Sequence, residues 1–223
     1  RITNWDAFDD KDDEDDAKVD QMVRIIQYLK TLPVKVVTLD KVEADDIIAY
    51  LSDVTPQKKE DKVFIVSSDK DFLQLINENV IVYRPMEKEY YTVDTVIEKF
   101  KMSPNNFILY KTLMGDNSDK VAGIKGLGEK KLYKLFPELT TQEMTLEDIY
   151  NISVKRLKEN VIYARVIQNF ASLETNYKIM DLSKPMIDKN DENYLDGVVK
   201  SKDIHYLPDQ FVSMYNTDQL GGV

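Results

Sequence analysis

Between residues 34 and 92, short β-branched runs alternate with helical stretches, and that alternation restricts the chain to an α/β arrangement. Val34–Leu39, Val63–Val66 and Val80–Tyr83 read as strands, with Tyr90–Thr92 as a short pairing segment. A helix beginning around Glu43 sets Ile47, Ile48 and Leu51 on one face, and Lys70–Ile76 reads as a short helix with Phe72, Leu73 and Ile76 inward. Strands and helices in this order predict βαβ units and a largely parallel sheet. Upstream, Val19, Met22, Val23, Ile25, Ile26, Leu29 and Leu32 recur at three- and four-residue steps, an amphipathic helix ended by Pro33. Past Val93 the strand signals fade. Helices are predicted at Val93–Phe100, from Ser103-Pro104 to Met114, at Glu129–Phe136, from Thr145, over 154–181 and at Asp209–Tyr215. The reading is an α/β half at residues 1–102 and a helical half at 103–223.

Composition narrows the chemistry. The 223 residues contain no cysteine and a single histidine, His205, so disulfides, zinc–thiolate sites, cysteine nucleophiles and Ser-His-Asp catalysis drop out. His205 has no carboxylate cluster near it in sequence and reads as structural. Any metal must be a hard cation held by oxygens. No apolar run approaches the roughly 20 residues of a membrane helix, so no membrane partner is expected. Net charge is −10, which taken alone argues against nucleic acid. The distribution says otherwise. Residues 9–16 hold seven acids and one lysine, read as a solvated, mobile loop, whereas residues 120–134 carry Lys120, Lys125, Lys130, Lys131 and Lys134 against Glu129.

Three acidic clusters fall at the ends of predicted elements: Glu43-Ala44-Asp45-Asp46, Ser67-Ser68-Asp69-Lys70-Asp71 and Gly115-Asp116-Asn117-Ser118-Asp119. Each taken singly can be read as helix-cap or turn residues. Together they crowd like charges, which a Mg²⁺- or Mn²⁺-type cation would neutralise. The first two clusters follow predicted strands, where ligands bind in open α/β sheets. Carboxylates without histidine or cysteine suit two-metal phosphoryl displacement, which needs acidic ligands and no protein nucleophile. Directly downstream, Gly126-Leu127-Gly128 before a helix bearing Lys130 and Lys131 lets backbone N–H groups approach a phosphate. An ordinary tight turn is the other reading of that Gly-x-Gly.

This ordered set, from Glu43-Ala44-Asp45-Asp46 to Gly123-Ile124-Lys125-Gly126-Leu127-Gly128-Glu129-Lys130-Lys131, resembles the structure-specific 5′-nuclease superfamily over roughly residues 34–137. That superfamily includes flap endonucleases, the 5′→3′ exonuclease domain of bacterial DNA polymerase I and phage enzymes. The overall flavour leans towards the phage ribonuclease H that removes primers. The resemblance implies a PIN-like nuclease core and a helix–three-turn–helix module at about 104–137 that grips duplex DNA. It implies that Glu43, Asp45, Asp46, Asp69, Asp71, Asp116 and Asp119 hold two Mg²⁺ or Mn²⁺ ions and form the catalytic set. It further implies that Gly126, Gly128, Lys130 and Lys131 bind DNA, and that the stretch from Val121 to Ile124 holds K⁺ through backbone carbonyls.

The implied activity is a Mg²⁺-dependent 5′-nuclease of replication or repair, acting as a cytoplasmic monomer on 5′-flap, nicked or primer-bearing duplex, RNA–DNA hybrid included. The family opens with a strand bearing a metal-binding Asp, a second strand-end Asp and a basic helical arch. None of these precedes Glu43 here, and Arg1 stands where an initiator Met would, so an upstream segment is expected. The alternative is a non-catalytic duplex-binding fragment or a decayed relative lacking those ligands.

Overall fold

The computed structural model describes residues 11–56, 58–116 and 121–220. In chain order the elements are α1 (Lys11–Thr31), α2 (Ala44–Val54), β1 (Val63–Val66), β2 (Val80–Arg84), β3 (Glu89–Tyr91), α3 (Val93–Phe100), α4 (Phe107–Met114), β4 (Gly115–Asp116) and β5 (Val121–Ala122). They continue with α5 (Glu129–Leu135), α6 (Leu146–Lys155), α7 (Val161–Gln168), α8 (Phe170–Met180), α9 (Lys189–Lys200) and α10 (Pro208–Thr217). The described residues fall into two compact units, one within Arg1–Asp40 and Asp196–Val223, the other within Lys41–Leu195.

In the first unit α1 pairs with α10. Arg24 grips Asp218 through Nε and Nη2 at 2.7 and 2.8 Å, and Tyr28 Oη donates to the same carboxylate at 2.6 Å. The rings of Tyr28 and Phe211 meet edge-on at 5.4 Å. Two expectations fail here. Residues 11–16 of the acidic run are helical, because Lys18 bridges Glu14 and Asp15 one turn back and acidic side chains suit a helix N-terminus. Val34–Leu39 is not a strand, and Val34 and Val36 are each 46% exposed. A β-branched run becomes a strand only where another strand accepts its hydrogen bonds, and none of the described residues does so.

The second unit carries the sheet and most of the core. β1 pairs parallel with β2, and β2 pairs antiparallel with β3 across a turn in which Lys88 takes φ 55° and bonds the Pro85 carbonyl. The expected largely parallel sheet is thus one parallel and one antiparallel ladder, since a tight turn can only return the chain antiparallel. Ile65, Val80, Val82 and Tyr91 bury one face of this sheet against Ala49, Phe72, Leu73, Ile76 and Val96. The other face leaves Phe64 and Val66 exposed. Lys70–Ile76 is a tighter 3₁₀ turn, Asp71–Leu75, too short for an α-helix.

A second cluster unites Leu109, Leu113, Leu132, Phe136, Leu139, Ile149, Tyr163 and Val166, with Tyr110 packed against both clusters. The second unit runs unbroken across residue 102, with the rings of Phe100 and Phe107 5.0 Å apart. Thr145 and Asp148 close a reciprocal capping box on α6, as the Thr145 signal predicts. Buried Asn106 donates to the carbonyls of Leu139 and Gln142 and accepts from Met144 N, at 2.7–2.9 Å. The last carbonyl of α5, at Leu135, accepts from both Arg156 Nη1 (3.1 Å) and Tyr163 Oη (2.7 Å).

Candidate metal centre and nucleic-acid interface

At the carboxyl end of β1 the chain turns through Ser67 and Ser68 to Asp69. Ser67 N donates to Tyr83 O at 3.1 Å, Asp69 N to Ser67 Oγ at 3.1 Å and Asp71 N to Asp69 Oδ1 at 2.8 Å. These local bonds wind the chain into the 3₁₀ turn and set both carboxylates on one side. Beside them, Glu43 caps α2 by position and Asp45 and Asp46 occupy its first turn, where the helix dipole favours negative charge. Glu43, Asp45, Asp46, Asp69 and Asp71 line one cavity of about 640 Å³, which Lys41, Val121, Lys178 and Lys184 also border.

Electrostatics mark the gathering. Burial raises the Asp45 carboxyl above its ordinary 3.8, and the negative fields of Asp69, Asp71, Glu43 and Asp46 add to the rise. Asp71 is raised by burial as well, against the opposing pull of Lys111. The Lys111 ammonium, almost wholly buried, touches both Asp71 Oδ1 and Asp116 Oδ2. Burial lowers its affinity for the proton, yet the hydrogen bonds to Asp116 and Asp71 outweigh that and hold it above the usual 10.5.

Five of the seven predicted ligands therefore share one cavity. Asp116 does not line that cavity but is linked to Asp71 through Lys111, and Asp119 lies outside the described residues. Asp46 Oδ1 accepts from Met186 N at 3.0 Å, which ties it to the loop after α8. Among the described residues no three acidic or histidine side chains are already arranged to hold a metal ion. The donors still fit a hard divalent cation, being all oxygen and mutually repelling, with an ammonium where countercharge is needed. Lys111 escaped the sequence reading. Its signal is a lone lysine inside the apolar run Phe107–Met114, five residues before Asp116.

The glycine-rich segment is built on close backbone contact. Gly115 takes φ 77° and pairs with Ala122 in the β4–β5 ladder. Val121 pairs there with Asp116, and buried Ile124 sends its amide to Leu113 O at 2.8 Å. Gly126 adopts φ 80°, the left-handed region glycine tolerates, and its carbonyl accepts from Lys131 Nζ at 3.0 Å. Gly128 caps α5 in open space. Lys130 and Lys131 are exposed, and with Gly126 and Gly128 they line a second concavity of about 540 Å³.

A small mixed sheet ending in a carboxylate-lined cavity, followed by helices and a glycine–lysine turn, defines a mixed α/β protein. Residues 10–101 match the family described as "5'-3' exonuclease, N-terminal resolvase-like domain". The 5'-3' exonuclease of Aquifex aeolicus is 40% identical over 128 residues, 57% of this chain and 44% of that protein. DNA polymerase I of Bacillus subtilis is 36% identical over 146 residues, 64% of this chain and 16% of that protein. The matched stretches thus span less than half of either relative.

In fold, the T5 D15 protein co-crystallized with metal ions superposes with a TM-score of 0.69 at 19% identity, covering 89% of this chain and 74% of that one. The T5 D15 flap endonuclease complex with DNA and metal ions gives 0.69 at 20% identity, covering 86% and 71%. The chain shares its mixed α/β fold with these T5 D15 structures.

Proposed function

We propose that this chain is a divalent-metal-dependent 5′-nuclease that hydrolyses phosphodiesters at flaps, nicks or primers of duplex DNA. The observation carrying this reading is the convergence of Asp45, Asp69 and Asp71 on one cavity at the carboxyl end of β1. Glu43, Asp45, Asp46, Asp69 and Asp71 would hold Mg²⁺ or Mn²⁺ there, with Asp116 and Asp119 completing the set. When bound, two such cations supply an activated water and stabilise the leaving oxygen of an in-line displacement. Lys111 offsets the repulsion between Asp71 and Asp116, and Lys41, Lys178 and Lys184 at the cavity rim attract the substrate's phosphates.

The segment from α4 through α5 serves as a helix–three-turn–helix, with Gly126, Gly128, Lys130 and Lys131 on one duplex backbone and K⁺ held between Val121 and Ile124. The exposure of the two lysines beside a left-handed glycine turn supports this. RNA–DNA hybrids belong to the same substrate class, and the protein acts as a cytoplasmic monomer. Among the described residues no helix is long and apolar enough to cross a membrane.

Cleavage of a 5′-flap duplex with Mg²⁺ tests the assignment. Asp69→Asn and Asp71→Asn should each lose at least about a hundredfold in rate, the scale of a removed charge-stabilising group. Equal rates in wild type and both variants would refute it. Lys130→Ala with Lys131→Ala should weaken duplex binding and flatten its dependence on salt.

A further inference from the structure

We infer that Arg84 is a positioning residue for the carboxylates Asp69 and Asp71, an inference that rests on the metal-dependent reading above. Arg84 ends β2, and although it is a cation it is only 6% exposed. Its Nη2 donates to the carbonyl of Ser68 at 2.7 Å, and its Nη1 meets Glu87 Oε2 at 2.9 Å. Its guanidinium carbon stands 5.4 Å from the ring centre of Tyr91, a residue locked in the core. Nε is buried without a hydrogen-bond partner among the described residues. A buried, incompletely satisfied cation is a poor packing device, because an apolar side chain of similar volume would fill the same space at lower cost.

What the guanidinium does locally is specific. Ser68, Asp69 and Lys70 are all exposed, so the core does not hold their backbone. Ser67 N is anchored on Tyr83 O, and the Asp69 amide bonds only within the turn, to Ser67 Oγ. The Ser68 carbonyl, one residue before Asp69, is fixed from the sheet by Arg84. Planar and braced by Tyr91 and Glu87, the guanidinium gives that carbonyl a donor of set direction, which fixes the Asp69 backbone and, through the Asp69–Asp71 bond, the next carboxylate. Arg84 therefore acts on metal ligands from behind, without facing the cavity.

Mn²⁺ titrated into the nucleic-acid-free protein, with free ion followed by electron paramagnetic resonance, tests this in wild type, Arg84→Gln, Arg84→Lys and Asp69→Asn. Glutamine is too short to reach the Ser68 carbonyl. The Arg84→Gln protein should remain folded by circular dichroism and bind Mn²⁺ about tenfold more weakly, the low end for lost outer-sphere support. Arg84→Lys, which retains a donor but not the planar fork, should recover part of that affinity. Wild-type Mn²⁺ affinity in Arg84→Gln overturns the inference, and so does an Arg84→Gln protein that fails to fold, since the role is then general packing. If wild type and Asp69→Asn bind Mn²⁺ equally poorly, the metal reading itself falls.

Discussion

The backbone of Gly123 passes so close to Gly115 that a Cβ on Gly115 would lie 2.3 Å from the Gly123 nitrogen. The atom that would have to move is main chain, and Gly115 also holds φ 77°. Gly115→Ala should therefore destabilise the protein by about 2 kcal/mol or more, combining strained backbone with a clash. Gly128→Ala, whose Cβ meets nothing within 4 Å, should cost no more than about 1 kcal/mol, the scale of a weaker helix cap. Urea unfolding of the two variants checks the contrast.

Removing the Lys111 ammonium leaves Asp71 and Asp116 facing each other in a half-buried setting without their shared cation. Lys111→Met should cost about 3 kcal/mol, the scale of a broken buried ion pair. Added Mg²⁺ should raise the melting temperature of this variant more than that of wild type, because a divalent ion can supply the missing charge. Calorimetry with and without Mg²⁺ measures both effects.

Asn106, itself buried, joins the turn before α4 to the segment at residues 139–144 through three side-chain hydrogen bonds. Asn106→Leu should cost about 3 kcal/mol, since two carbonyls and one amide are left without that partner. Chemical denaturation gives the value directly.

Acid should weaken the α6 cap. The Thr145 backbone and side-chain hydrogen bonds hold the Asp148 carboxyl below its ordinary 3.8. The folded state thus takes up this proton less readily than the unfolded chain. The stabilisation is complete above pH 3.8 and disappears as pH falls through the lowered folded value. Asp148→Asn should melt below wild type at pH 6, with the gap narrowing towards pH 2 in thermal melts.

Much of this was legible along the chain. β1, β2, α3, α5 and the Thr145 cap follow from local apolar spacing and capping chemistry, which need no distant partner. The five cavity carboxylates were legible because each sits where an element begins or ends. Val34–Leu39 was misleading for the opposite reason, as a strand is completed by a neighbour that its own sequence does not describe. Lys111 and Arg84 were hidden by identity. On a sequence a buried lysine or arginine looks like any surface cation, and only the fold reveals the carboxylates or carbonyl beneath it. The Gly115–Gly123 contact is likewise a tertiary fact.

The double hydrogen bond on the Leu135 carbonyl moors α5 at its far end, through Arg156 at the C-cap of α6 and Tyr163 of α7. Lys130 and Lys131 therefore ride on a short helix that has already surrendered most of its freedom before any polyanion arrives. A polyanion docking there would forfeit little further backbone entropy, so more of the electrostatic attraction would go into holding it.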